Sequence, residues 1–281
     1  MTIEEQIQQF TYSDAYRGAF RFWAGGSRGA ILYIHGIQSH GGWFVSSAQT
    51  LAQAGFSVLL AERRGSGMND ETRGDVGCYR RWLDDQIELV DHLIETTGCT
   101  KVHLAGVSWG GKIVMGLAKL IPEKIAGLTL IAPGIFPAVD VSFMQKLRIA
   151  KAVILRSGTM FPVPLDSPEL FTGNPDRQKF IRNDPLKLTQ VTGNFLYQSR
   201  RLDYFVQTIS DCLTMPMKLF LAGQEKIIDN SATLNYFRGL RAAGIKEMKF
   251  YPQACHTLEF EQDNHEFLDD LREWITHAAT I

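Results

Sequence analysis

The chain has 281 residues, of which 45% are hydrophobic and 21% charged, with a formal net charge of −1. This fits one large α/β domain, or one domain with an insertion, and the near-neutral charge offers nothing to nucleic acid or a broadly anionic partner. No apolar run is long enough to span a bilayer, and the polar, acidic start Met1-Thr2-Ile3-Glu4-Glu5-Gln6 lacks the pattern of a secretory signal.

Four scattered cysteines, Cys78, Cys99, Cys212 and Cys255, form no C-x-x-C pair, which argues against a zinc site or redox motif. They read as small packing residues in a reducing compartment, and the cytoplasm is the expected location.

In chain order, Ala30 to Ile34 reads as a buried strand and Trp43 to Ala54 as a helix with Phe44, Ala48, Leu51 and Ala52 on one side. Phe56 to Ala61 is the next strand. The turn Arg63-Arg64-Gly65-Ser66-Gly67 after it reads as a backbone turn, its arginines at most a structural rim. It lacks the G-x-x-x-x-G-K-[ST] of a phosphate loop, and no G-x-G-x-x-G opens the first βα turn, so no dinucleotide is expected. Tyr79 to Thr97 is a longer helix carrying Trp82, Leu83, Ile87, Val90, Leu93 and Ile94. Val102 to Ala105 and Leu128 to Ile131 are strands, separated by Gly106-Val107-Ser108-Trp109-Gly110 and the helical run Lys112 to Ala118. Such alternation implies a mostly parallel central sheet with helices on both faces.

The alternation stops at Ala132-Pro133-Gly134. Residues 134–212 hold Pro137, Pro162, Pro164, Pro168, Pro175 and Pro185 and no strand with a returning helix. They read as an inserted helical cap of short, broken helices over one end of the sheet, with 1–133 and 213–281 as the core. Within it Phe143, Leu147, Ala150 and Ile154 recur at helical spacing among Lys146, Arg148, Lys151 and Arg156. That stripe is expected to pack inward and leave the bases in solvent. The bases share no single face, which weighs against a helix that touches lipid or steers an anion. The rhythm then resumes with a strand at Met217 to Ala222, a helix at Ser231 to Ala243, a strand at Glu247 to Tyr251 and a closing helix at Glu266 to Ala278.

A serine between two glycines at a strand-to-helix junction suits a sharp turn that pushes its hydroxyl outward, which makes Ser108 the candidate nucleophile. A serine hydroxyl at neutral pH needs a base, an acid to orient that base, and N–H donors for the oxyanion. His256, in the loop Pro252-Gln253-Ala254-Cys255 after the last strand, is the candidate base. His92 and His103 sit inside a helix and a strand, and His265 and His277 belong to the final helix. The loop Gly223-Gln224-Glu225-Lys226-Ile227-Ile228-Asp229 offers two acids. Glu225, nearer the strand end, is preferred; Asp229 is the alternative, and otherwise caps the next helix. Trp109 opens a helix with its backbone N–H, and the loop His35 to Trp43 should supply the second donor, Ile37 with Gln38 as alternate. His35 is expected to brace that loop.

Taken together these pieces resemble the α/β-hydrolases, and within them the monoacylglycerol lipase and lysophospholipase-like branch. The matching residues are Ile34-His35-Gly36 with His40-Gly41-Gly42, Leu51 to Val58, Arg64-Gly65-Ser66-Gly67, Gly106 to Gly111, the Gly223 to Asp229 loop and Cys255-His256-Thr257-Leu258. The resemblance implies a serine acyl hydrolase without metal or organic cofactor, acting on a monoacylglycerol, a lysophospholipid or a small carboxylic ester. Apolar cap residues such as Phe143, Met144, Leu147, Met160, Phe161, Phe195 and Tyr197 favour an apolar acyl group. Family members usually carry Asp where Glu225 stands, and often His where Val107 precedes the serine. Trp109 also occurs in proline iminopeptidase-like relatives. An amidase of that kind would need an acidic cap residue, Asp203 or Glu169, for the substrate amine. A thioesterase, or a ligand-binding member of the fold without catalysis, completes the alternatives.

Overall fold

Every strand expected from Ala30 onward is present, and all of them lie side by side. A computed structural model describes residues 3–209 and 213–280, so Asp211, Cys212 and the expected return from the insertion at 212 lie outside the described residues. The strands are β1 (Gln6–Thr11), β2 (Arg17–Trp23), β3 (Gly29–Ile34), β4 (Phe56–Ala61), β5 (Val102–Val107) and β6 (Ile125–Ile131). They continue as β7 (Met160–Pro162), β8 (Gln190–Thr192), β9 (Met217–Ala222) and β10 (Lys246–Tyr251). Eight of them form one sheet in the order β1-β2-β4-β3-β5-β6-β9-β10. From β4 to β10 every pair is parallel, whereas β2 pairs antiparallel with both β1 and β4. This is an α/β-hydrolase fold.

The helices are α1 (Val45–Gln53), α2 (Tyr79–Thr97), α3 (Trp109–Leu120), α4 (Phe143–Leu155), α5 (Pro175–Asn183), α6 (Gly193–Gln207), α7 (Asn230–Gly239) and α8 (His265–Ala278). Strands β4 and β5 are buried at every position, which requires cover on both faces of the sheet. Helix α1 packs on α8, and α2 on α3, to provide it. No helix of the described residues is long and apolar enough to cross a membrane.

Three differences from the sequence expectation have physical causes. The N-terminal hairpin β1–β2 carries little signal because β1, Gln6–Thr11, is a polar edge strand whose Ile7 is exposed. Helix α7 stops at Gly239 rather than Ala243, since Lys246 folds back and its Nζ donates to the carbonyls of Phe237, Arg238 and Leu240 at 2.8–2.9 Å. Between β6 and β9, α4 and α6 run for 13 and 15 residues, because the prolines of this stretch fall between the helices or at the first turn of α5. A two-stranded antiparallel ladder, β7 with β8, also stands where no strand was expected.

The stripe expected to face inward on α4 does not. Phe143 is 72% and Ile154 80% exposed, and Leu147 and Ala150 are exposed as well. Ala152 is the buried residue of this helix, which packs chiefly on α6. The two approach through small residues: a Cβ on Gly193 would lie 3.1 Å from the Ala152 Cβ and 3.4 Å from the Ile149 carbonyl oxygen. Backbone proximity, rather than side-chain bulk, turns the larger apolar groups outward.

Candidate active site

Strand β5 runs straight into α3 with Ser108 as the only joint. Its backbone sits at φ 52°, ψ −121°, a conformation that costs a non-glycine residue about 1–3 kcal/mol unless its surroundings impose it. They do so with main-chain hydrogen bonds. Ser108 N donates to Ile131 O (2.9 Å), and Ser108 O accepts from Gly111 N (2.8 Å) and Gly134 N (2.6 Å). The flanking glycines leave no alternative. A Cβ on Gly106 would stand 2.6 Å from Gly110 O, and one on Gly110 would stand 2.3 Å from Ile34 O.

His256 follows β10 and is 1% exposed at its side chain. Its Nδ1 donates to Glu225 Oε2 at 2.7 Å, and the Phe171 ring stands edge-on to the imidazole at 6.2 Å. Its Nε2 is buried and has no hydrogen-bond partner among the described residues, Ser108 included. An imidazole fixed through Nδ1 with Nε2 unengaged is arranged to accept a proton.

The two candidate acids separate cleanly. Glu225, 2% exposed at its side chain, uses its other oxygen, Oε1, to accept from the backbone N–H groups of Lys226 (2.9 Å), Ile227 (2.7 Å) and Ile228 (3.3 Å). Burial alone would raise its pKa, but His256 and the Ile227 and Ile228 N–H groups outweigh burial and hold the carboxyl below its ordinary value. Asp229 instead caps α7, its Oδ1 accepting from Ala232 N at 2.9 Å, and makes no hydrogen bond to His256.

The loop after β3 passes against Ser108. A Cβ on Gly36 would lie 3.3 Å from the Ser108 Cβ and 3.6 Å from its Oγ. Among the described residues the N–H groups of Ile37 and Trp109 donate to no protein acceptor. The carbonyl of Gln38, the alternate donor, accepts from Leu188 N at 2.9 Å. His35 is buried, donating from Nδ1 to Gly36 O (2.8 Å) and accepting at Nε2 from Arg63 N (3.2 Å). Burial, with the Arg63 charge, holds its pKa well below the ordinary value, so the ring is a neutral brace.

The stretch between β6 and β9 is fastened to these loops. Thr257 N, beside His256, donates to Phe171 O at 2.8 Å. At the loop after β3, Asp184 accepts from Trp43 Nε1 at 2.7 Å and pairs with His40 Nε2 at 3.1 Å. Beneath α6, the Trp109 Nε1 donates to Ser199 Oγ at 2.8 Å, and Lys112 forms a buried ion pair with Asp203. Burial lowers the Lys112 pKa and raises that of Asp203, each opposed by the partner's charge. Neither this pair nor the buried Arg63 stood out in the sequence, where Asp203 reads only as a possible amine site and Arg63 as part of a turn. Replacing Asp203 with Ala should leave the buried Lys112 without its carboxylate, with only Ser199 Oγ at 3.4 Å to accept from its Nζ among the described residues. The expected cost is about 3–5 kcal/mol of folding stability, read as a lower urea midpoint.

Among the described residues no group of three or more His, Cys, Asp or Glu is placed to hold a metal ion. Cys78, Cys99 and Cys255 are free thiols.

Comparison with known proteins adds the family. A family model described as Hydrolase_4, serine aminopeptidase S33, matches residues 25–263. Monoglyceride lipase of Mus musculus is 23% identical over 262 residues, covering 92% of this chain and 86% of that protein. Among solved structures, monoacylglycerol lipase of Paleococcus ferrophilus superposes with a TM-score of 0.80 at 21% identity, covering 98% of this chain and 100% of that one. A soluble variant of monoglyceride lipase from Saccharomyces cerevisiae, in complex with a substrate analogue, gives 0.84 at 18% identity over 99% and 96% of the two chains. At such identities the structural likeness speaks for the fold.

Proposed function

We propose, from the premise that the chain belongs to the Hydrolase_4 family of α/β-hydrolases, that it is a serine hydrolase of carboxylic esters with Ser108, His256 and Glu225 as its triad. The observation that carries this reading is the buried His256, held through Nδ1 by Glu225 at 2.7 Å with its Nε2 unengaged. In the reaction the Ser108 Oγ attacks the ester carbonyl carbon as its proton passes to His256 Nε2. Glu225 stabilises the imidazolium without taking the proton. The N–H groups of Ile37 and Trp109 receive the tetrahedral oxyanion. Collapse expels the alcohol, which takes the proton from His256, and leaves an acyl-enzyme. Water, deprotonated by His256, then releases the acid and restores Ser108.

Likeness to the mouse monoglyceride lipase supports an ester with an apolar acyl group, such as a monoacylglycerol, over an amide. The family description names an aminopeptidase, but the acidic groups that would hold a substrate amine are engaged. Asp203 is paired with Lys112 inside the protein, and Glu169 with Arg182 at the surface. The test is a panel of aryl esters of increasing acyl length, a monoacylglycerol, a lysophospholipid, an acyl thioester and a prolyl amide. The highest kcat/KM is expected on an ester, with the prolyl amide at least about a hundred-fold slower. A prolyl amide or thioester turned over faster than every ester would reassign the substrate class.

A further inference from the structure

One arginine is placed in a way that fold stability does not explain. Arg63 lies just beyond the end of β4 and is 2% exposed. Its Nη2 donates to Gly36 O at 2.8 Å and Ile37 O at 2.7 Å, with Ser66 Oγ at 3.3 Å, while Nε and Nη1 have no partner among the described residues. The guanidinium carbon sits 4.6 Å from the centroid of the Trp109 ring. Burial pushes its pKa down to about 9, against partial support from Glu62. A buried cation with donors to spare is a poor stabiliser, since an apolar side chain of that volume would serve packing at least as well.

What the cation does hold is direction. A trans peptide points its C=O and N–H to opposite sides. Gly36 O and Ile37 N belong to one peptide unit, and Ile37 O and Gln38 N to the next. Drawing both carbonyls onto Arg63 therefore turns both N–H groups the other way. His35 Nδ1 holds the Gly36 carbonyl from a second side. The Gly36 backbone is also the segment that lies against Ser108.

We propose that Arg63 is the positioning residue of the oxyanion hole, its Nη2 gripping the Gly36 and Ile37 carbonyls while its guanidinium carbon lies over the Trp109 ring, so that the donors from both loops face one point. The inference rests on the serine-hydrolase reading and does not depend on the identity of the ester.

The test uses an alkyl fluorophosphonate, whose P=O oxygen occupies the oxyanion position while the Ser108 Oγ bonds to phosphorus, fluoride leaves and the serine proton passes to His256. Arg63→Met should lower the second-order labelling constant about a hundred-fold relative to the unaltered chain. Its kcat on the best aryl ester should fall comparably, with KM changed by less than about threefold. Arg63→Lys keeps a cation without the planar fork and should recover part of the loss. Ser108→Ala supplies the unlabelled control. A folded Arg63→Met labelled at the unaltered rate, or a loss carried by KM alone, overturns the proposal. Should Arg63→Met fail to fold, Arg63→Lys decides: labelling at the unaltered rate overturns the assignment, and a slowed rate at unchanged KM upholds it. An unaltered chain that takes no label overturns the hydrolase reading and this proposal with it, whereas a labelled chain that cleaves none of the esters leaves the Arg63 test standing.

Discussion

Ser108→Ala should give a folded chain whose kcat on its best ester is lower by at least about ten-thousand-fold. The substitution removes only Oγ, and the three main-chain hydrogen bonds that hold residue 108 in its turn involve no side-chain atom. Alanine meets the same backbone strain as serine, so the melting temperature should move little. The rate should fall to what the N–H groups and substrate binding supply without a covalent intermediate. Titrating activity and thermal denaturation on one preparation separates the two effects. Undiminished esterase activity in the alanine variant sinks the assignment of this serine.

Glu225→Gln is expected to cost about a thousand- to ten-thousand-fold in kcat with little change in KM. The glutamine carbonyl can still accept from the N–H groups of Lys226 and Ile227, so the loop should keep its shape. Its amide, however, would donate to His256 Nδ1 where the carboxylate now accepts. The imidazole proton then moves to Nε2, the nitrogen that must be free to receive the proton of Ser108. The variant would carry the right geometry and the wrong tautomer. Asp229→Asn is the matched control, because asparagine caps a helix about as well as aspartate and should leave kcat within about threefold. If Asp229→Asn proves the crippled variant and Glu225→Gln the active one, the acid must be reassigned.

The positions proposed for this site are legible because each follows a strand of a parallel sheet, where one end of every strand opens on the same crevice. Ser108 follows β5, Glu225 follows β9, His256 follows β10 and Ile37 follows β3. Spacing alone leaves Glu225 and Asp229 both available. The structure sends one carboxylate to the imidazole and the other to the first turn of α7. Other features have no periodic trace. The inward face of α4 depends on Gly193, far along the chain in α6, and the partner of Lys112 lies in the same distant helix. Arg63 reads as turn filler because an arginine in a glycine-rich turn is usually solvated. Only the third dimension shows two carbonyls waiting for it.

Phe171 is tied to Thr257, next to His256, and Leu188 to Gln38, next to Ile37. A segment nailed down at two points cannot swing like a door on a single hinge. Lifting it would drag both loops out of register, so the open form of such an enzyme would also be its disarmed form.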